Sequence, residues 1–159
     1  MSVIDEVTRA NESYVAGFGK GGLPMPPGRK FAVVTCMDAR LDPARFLGLE
    51  EGDAHVIRNA GGLVNDETIR SLVISHHLLG TQEAVVIGHT DCGMLTFTNA
   101  DIHEKLGPES ESIDFQPFPD VAERVRRSVD TIRNHPLLAD GFGSTGYVYD
   151  VRTGQIQAV

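Results

Sequence analysis

Two stretches decide the fold: Phe31-Ala32-Val33-Val34-Thr35-Cys36-Met37-Asp38-Ala39-Arg40 and Ala84-Val85-Val86-Ile87-Gly88-His89-Thr90-Asp91-Cys92-Gly93-Met94. Each begins as an apolar, largely β-branched run, the pattern of a strand buried on both faces, and each ends in reactive side chains. In an α/β sheet, ligands bind outside the carboxyl ends of parallel strands. The two reactive ends are therefore predicted to face each other across one crevice.

Working outward, residues 4–15 carry Ile4, Val7, Ala10, Tyr14 and Val15 among charged residues, an amphipathic helix with one apolar stripe. The glycine- and proline-rich segment Gly17 to Gly28 detaches it from the body. Gly17, Gly19 and Gly22 formally match a dinucleotide fingerprint, but a helix precedes them and prolines follow, so the match is accidental. The detached stripe must be buried on its own sheet or on a second subunit. Pro43 to Gly48 reads as a short helix, Ala54 to Asn59 as a strand broken by Ala60-Gly61-Gly62, and Asn65 to Leu79 as a long helix ended by Gly80. A helix is expected to start at Met94; the sequence turns polar from Asn99 to Pro119, and Gly107 to Ser112 within it reads as a mobile loop. Asp120 caps a helix with the stripe Val121, Val125, Val129 and Ile132, and a hairpin around Thr153-Gly154 closes the chain. The expected fold is α/β: a mostly parallel central β-sheet flanked by helices, with an N-terminal helical arm. Residues 1–159 form a single domain, of which 1–28 are the arm and loop.

The 159 residues suffice to bury roughly 68–70% of the unfolded surface without a covalent staple. A formal net charge of −8 argues against nucleic acid and anionic membranes as partners. Arg124, Arg126 and Arg127 are expected to form a solvated helix face. His55, His76, His77, His103 and His135 read as surface or packing residues, with a proton relay near the mouth as the alternative for one of them. No signal-peptide pattern and no membrane-spanning run are found, so the protein is expected to be cytoplasmic. A reducing compartment would keep its two cysteines as free thiols.

Both cysteines lie in the two opening stretches. In an extended segment, side chains at i, i+2 and i+4 share a side, so Cys36, Asp38 and Arg40 are presented to one space. His89 and Cys92, three apart, form a two-ligand clamp, and Cys36 supplies a third ligand from the neighbouring strand. Thiolate plus imidazole selects zinc (Zn2+), one per subunit. The fourth tetrahedral position stays open to water or is filled by Asp38. Two thiolates cancel the charge of the metal, so its water is acidified less than beside three imidazoles, and Asp38 is the group placed to orient that water. Arg40 keeps Asp38 ionised and aimed through a bidentate pair; if Arg40 lets go, Asp38 can swing onto the metal and close the site. Asp91, between two ligands, reads equally as support to the site or as solvated surface.

These residues resemble the β-class carbonic anhydrases. The C-x-D-x-R motif stands at Cys36-Met37-Asp38-Ala39-Arg40, the H-x-x-C motif at His89-Thr90-Asp91-Cys92, and the R-N-A-G segment at Arg58-Asn59-Ala60-Gly61. The likeness is close over residues 30–95 and general elsewhere. It departs from the common bacterial and plant types at Ala39, where they carry serine, and at Met94, where they carry a second glycine. Their pocket glutamine has no counterpart in Leu23-Pro24-Met25-Pro26-Pro27, so the chain looks more like the short actinobacterial subgroup. The resemblance implies zinc on Cys36, His89 and Cys92, an Asp38–Arg40 dyad beside it, and a homodimer or a tetramer of dimers whose N-terminal helix crosses the partner.

The expected activity is reversible hydration of carbon dioxide to bicarbonate and a proton, with backbone amides near Gly61 and Gly93 meeting substrate oxygen. One alternative is hydrolysis of carbonyl sulfide or carbon disulfide at the same site. Another is a non-catalytic zinc module closed by Asp38.

Overall fold

In a computed structural model describing residues 2–159, five strands form one sheet in the order β2-β1-β3-β4-β5. They are β1 (Phe31–Cys36), β2 (Ala54–Asn59), β3 (Glu83–His89), β4 (Gly143–Tyr149) and β5 (Ile156–Ala158). The first four run parallel, and β5 returns antiparallel to β4 through the terminal hairpin. The helices are α1 (Val3–Ala16), α2 (Pro43–Leu47), α3 (Asp66–Leu79), α4 (Asn99–Leu106) and α5 (Val121–Arg133). The α/β expectation holds.

Local chemistry sets most of the boundaries. Asp42, Asn65 and Asp120 each cap the first turn of the following helix through a side-chain oxygen. Gly48 and Gly80 close α2 and α3 in the left-handed conformation. The stretch from Met94 differs from the expected helix: only one 3-10 turn, Gly93–Leu95, forms there. The polar segment, in which no element was expected, holds α4, and the stretch expected to be loop holds a second 3-10 turn at Pro108–Ser110. A capping box between Thr98 and Asp101 nucleates α4, which buries no side chain and so shows no clear apolar period.

Helices α3 and α5 cover the same face of the sheet. Ala32, Val34, Ala84 and Val86 project from β1 and β3 into a core with Ile69 and Leu72 of α3 and Val125, Val129 and Ile132 of α5. Close seating of α5 depends on two glycines beneath it. A Cβ at Gly88 would lie 2.7 Å from both Val121 Cγ1 and Val125 Cγ2, and one at Gly146 would lie 2.6 Å from Val125 Cγ1. The opposite face is incompletely covered. Val56 and Thr145, in register with buried Val33 and half-buried Val85, are exposed. Helix α1 buries none of its residues, with Ile4 72% and Val15 62% exposed. Its stripe therefore does not lie on its own sheet.

The order 2-1-3-4 has a physical consequence. The chain leaves β1 toward β2 on one side and returns to β3 on the other, so the sheet winds in opposite senses about the β1–β3 pair. A crevice opens at the carboxyl ends of those two strands. Cys36 ends β1 and His89 ends β3, which puts the two opening motifs at that crevice.

Replacing Gly146 with alanine should overpack the α5–sheet contact and lower unfolding stability by about 1–3 kcal/mol. Denaturant titration of the variant checks this; an unchanged midpoint would mean that α5 is not seated as closely as the geometry indicates.

Candidate metal centre

Cys36 at the end of β1, His89 at the end of β3 and Cys92 three residues further on converge. One ligand atom from each lies within 4.8 Å of the others. All three residues are withdrawn from water, at 5%, 1% and 2% exposure. His89 Nδ1 faces the carbonyl of Thr90 at 2.9 Å, which fixes the tautomer that leaves the Nε2 lone pair free. Nε2 is buried among the described residues without a regular hydrogen-bond partner, beside the Cys36 sulfur. The two cysteines form no disulfide.

The electrostatics ask for a cation. The Cys92 thiol donates toward the Cys36 sulfur, and this outweighs burial; His89 and the backbone N–H groups of Asp38 and Gly61 add to it, bringing Cys36 down to about 4. The Cys92 thiol is pushed up by that same shared proton and by burial. Burial disfavours the charged His89 ring, yet the adjoining Cys36 thiolate more than compensates and its pKa rises. Two sulfurs and an orphaned imidazole nitrogen, dry and electron-rich, are a donor set suited to zinc. The residues fit the metal. The amide of Gly61 is directed at the Cys36 sulfur.

Asp38 stands beside this cluster, with Oδ2 3.8 Å from His89 Nε2. It is not among the converging ligands. Arg40 Nε donates to Asp38 Oδ1 at 3.0 Å and Nη2 to Oδ2 at 2.7 Å, while the Arg40 backbone N–H donates to Oδ1 at 2.9 Å. These donors, led by the guanidinium, hold the Asp38 carboxyl well below the usual carboxylate range. A group so acidic stores no proton near neutrality; it is a permanent hydrogen-bond acceptor.

The framework explains why these groups meet. Gly62 packs on the end of β1: at φ +62 its Cβ would stand 2.9 Å from the Thr35 carbonyl carbon. Only glycine fits there. Arg58 reaches across from β2 and donates to the carbonyls of Cys36 (2.9 Å) and Asp38 (2.8 Å), bracing the first motif by its backbone. That role was hidden in the sequence, where only the R-N-A-G spacing marked Arg58. Asp91 is solvated and also engaged, since its carboxylate accepts from Arg40 Nη1 at 2.7 Å. The site wall is apolar, formed by Leu41, Leu63, Met94 and Phe118 around the two cysteines. The arginine patch differs from expectation. Arg126 and Arg127 are exposed beside Glu123, but Arg124 is half-buried, with a buried Nε that lacks a partner among the described residues. It lines one groove together with Phe118 and Pro119, where the irregular segment ends at the start of α5. Among the histidines outside the site, His76 packs on Phe142, His55 shares a hydrogen bond with the Ser75 hydroxyl, and His77 faces the carbonyl of Leu137.

Residues 31–114 match the family model described as carbonic anhydrase. β-Carbonic anhydrase 1 of Mycobacterium tuberculosis is 47% identical, the alignment covering 100% of this chain and 99% of that protein. The crystal structure of a carbonic anhydrase from Streptococcus mutans superposes with a TM-score of 0.93 at 47% identity, covering 100% of this chain and 98% of that one. A carbon disulfide hydrolase of Acidianus is more distant, 34% identical over 97% of this chain and 87% of its own length.

Replacing Cys92 with alanine should abolish stoichiometric zinc, and chelation of the unaltered protein should lower its melting temperature, because metal bound only by the folded state stabilises it. Metal analysis and thermal melts check both; a variant that keeps one zinc per chain would remove Cys92 from the ligand set.

Proposed function

The chain belongs to the β-carbonic anhydrase family, and from that premise we propose that Cys36, His89 and Cys92 hold its zinc while Asp38 and Arg40 serve the reaction beside it. The activity is zinc-dependent, reversible hydration of carbon dioxide to bicarbonate and a proton, a lyase reaction. The observation that carries the site assignment is the orphaned His89 Nε2, buried beside two sulfurs and 3.8 Å from the Asp38 carboxylate.

Zinc, when bound, supplies the Lewis acidity that makes water a nucleophile near neutral pH. The chain supplies the rest. Thr90 holds the His89 ring in the tautomer that presents Nε2. Asp38, ionised throughout the working pH range, accepts a hydrogen bond from the attacking water and orients it toward the substrate carbon. Arg40 keeps that carboxylate in place beside the three ligands. Leu41, Leu63, Met94 and Phe118 surround the site with hydrocarbon, a setting that suits a small, linear, uncharged substrate better than its anionic product.

Carbon disulfide is the second substrate to weigh, because one relative that acts on it is 34% identical; the 47% identity to a carbonic anhydrase puts carbon dioxide first. A permanently closed zinc module is disfavoured by the Asp38–Arg40 pair, which occupies both carboxylate oxygens. The reading has the whole of residues 1–159 act as one unit in the cytoplasm, where thiols stay reduced. Among the described residues no helix is long and apolar enough to cross a membrane. The assembly is a homodimer at least. Parallel sheets need both faces covered, and here one face is partly open while the stripe of α1 is bare. A second copy supplies both missing surfaces.

Asp38→Asn should retain zinc and lose about a hundredfold in hydration rate, measured by stopped flow; an undiminished rate would remove Asp38 from the reaction. Parallel assays with carbon dioxide, carbonyl sulfide and carbon disulfide should favour carbon dioxide. Val7→Asp, placing a charge on the α1 stripe, should shift the protein toward monomer in sedimentation analysis, and an unchanged mass would place the interface elsewhere.

A further inference from the structure

Arg40 is held by more than Asp38. Guanidinium offers five N–H donors in one plane, and four of them have partners here. The Nε and Nη2 edge meets Asp38; Nη1 donates to Asp91 Oδ2 at 2.7 Å and the second Nη2 hydrogen to the Asp91 carbonyl at 2.8 Å. Two edges of a planar group are therefore bridged by two different residues, one from each motif. We propose that Asp91 is a positioning residue for the reaction, holding the far edge of Arg40 so that its near edge stays fixed on Asp38. This rests on the roles given above to Asp38 and Arg40 and adds a third member to that unit.

The backbone supports the assignment. Asp91 has φ +55, and among the described non-glycine residues only Lys30 and Gln116 share a positive φ. Glycine would adopt that conformation at less cost, but it would lack the carboxylate that Arg40 uses. The left-handed turn also brings the Asp91 carbonyl to Nη2, so one residue supplies both acceptors. Its side chain is 71% exposed, and an ion pair that open contributes little to global stability. What it supplies is orientation. Held by Asp38 alone, a half-exposed arginine exchanges among rotamers and drops the carboxylate it aims; held on both edges, it has one arrangement.

The test uses the zinc-loaded, full-length protein with Asp91→Asn and Asp91→Gly, both of which accept a left-handed backbone. Both should keep stoichiometric zinc and an unchanged melting temperature. The Arg40 Nε–H resonance, assigned by its loss in Arg40→Ala, should exchange with solvent faster in each variant than in the unaltered protein. Hydration kcat should fall about tenfold with KM little moved. In an Arg40→Ala background, Asp91→Asn should cost nothing further, because Asp91 acts through Arg40. Unchanged Nε–H exchange, unchanged kcat, or a loss that adds fully to that of Arg40→Ala would each overturn the proposal. If the unaltered protein did not hydrate carbon dioxide, the functional reading would fail separately; the exchange comparison would still decide whether Asp91 holds Arg40.

Discussion

Two sulfurs and an imidazole withdrawn almost wholly from water are the constraint on which the structure depends. Burying ionisable groups without compensation is expensive, and here three of them converge with a nitrogen lone pair aimed at nothing. The two thiols are close enough to share a proton, which draws Cys36 down and pushes Cys92 up. A divalent cation answers the same need better, since it meets all three donors at once. A cation held there would stabilise the site, and the fold around it keeps the pocket dry.

Sheet topology provides the convergence. Neither motif contains three ligands by itself, and the two are separated by β2 and α3. Winding β1 and β3 into adjacent parallel strands, in register from Phe31 with Glu83 to Thr35 with Ile87, delivers Cys36 and His89 to neighbouring strand ends. The glycines act at the next level. Gly62 lets the turn after β2 lie on the backbone of β1, and Gly88 and Gly146 let α5 press on β3 and β4. Arg58 then ties the carbonyls of the first motif to β2. Rigid strands and close backbone contacts thereby hold a site whose reacting groups sit on short connecting segments.

Much of this was legible from residue pattern because the signals were strong. Apolar runs before Cys36 and His89 marked the strand ends, and Asn65 with Gly80 bracketed α3. Helix α4 was missed because it lies on the surface without burying a side chain; its one signal was the Thr98–Asp101 capping box. Arg124 looked like its neighbours Arg126 and Arg127, and no local pattern says that it is half-buried in a groove shared with Phe118 and Pro119. The convergence of Cys36, His89 and Cys92 followed from spacing and residue type. The grip of Asp91 on Arg40 did not, since it depends on a left-handed backbone that joins two motifs 51 residues apart in the chain.

Charge counting explains why the Asp38–Arg40 arrangement is favoured over one with Asp38 on the metal. Zinc with two thiolates and a neutral imidazole is formally uncharged, which suits a pocket walled by Leu41, Leu63, Met94 and Phe118. Adding the Asp38 carboxylate as a fourth ligand would place net negative charge in that hydrocarbon setting. It would also strip Arg40 of two charge-assisted hydrogen bonds and leave it with Asp91 alone. Kept outside the ligand set, Asp38 is neutralised by Arg40, and the arginine shares its remaining donors with a carboxylate facing solvent. Negative charge is carried outward through Asp38, Arg40 and Asp91 rather than concentrated beside Cys36, His89 and Cys92. A fourth position on an ion held there would stay open to water, because Asp38 is better satisfied by Arg40.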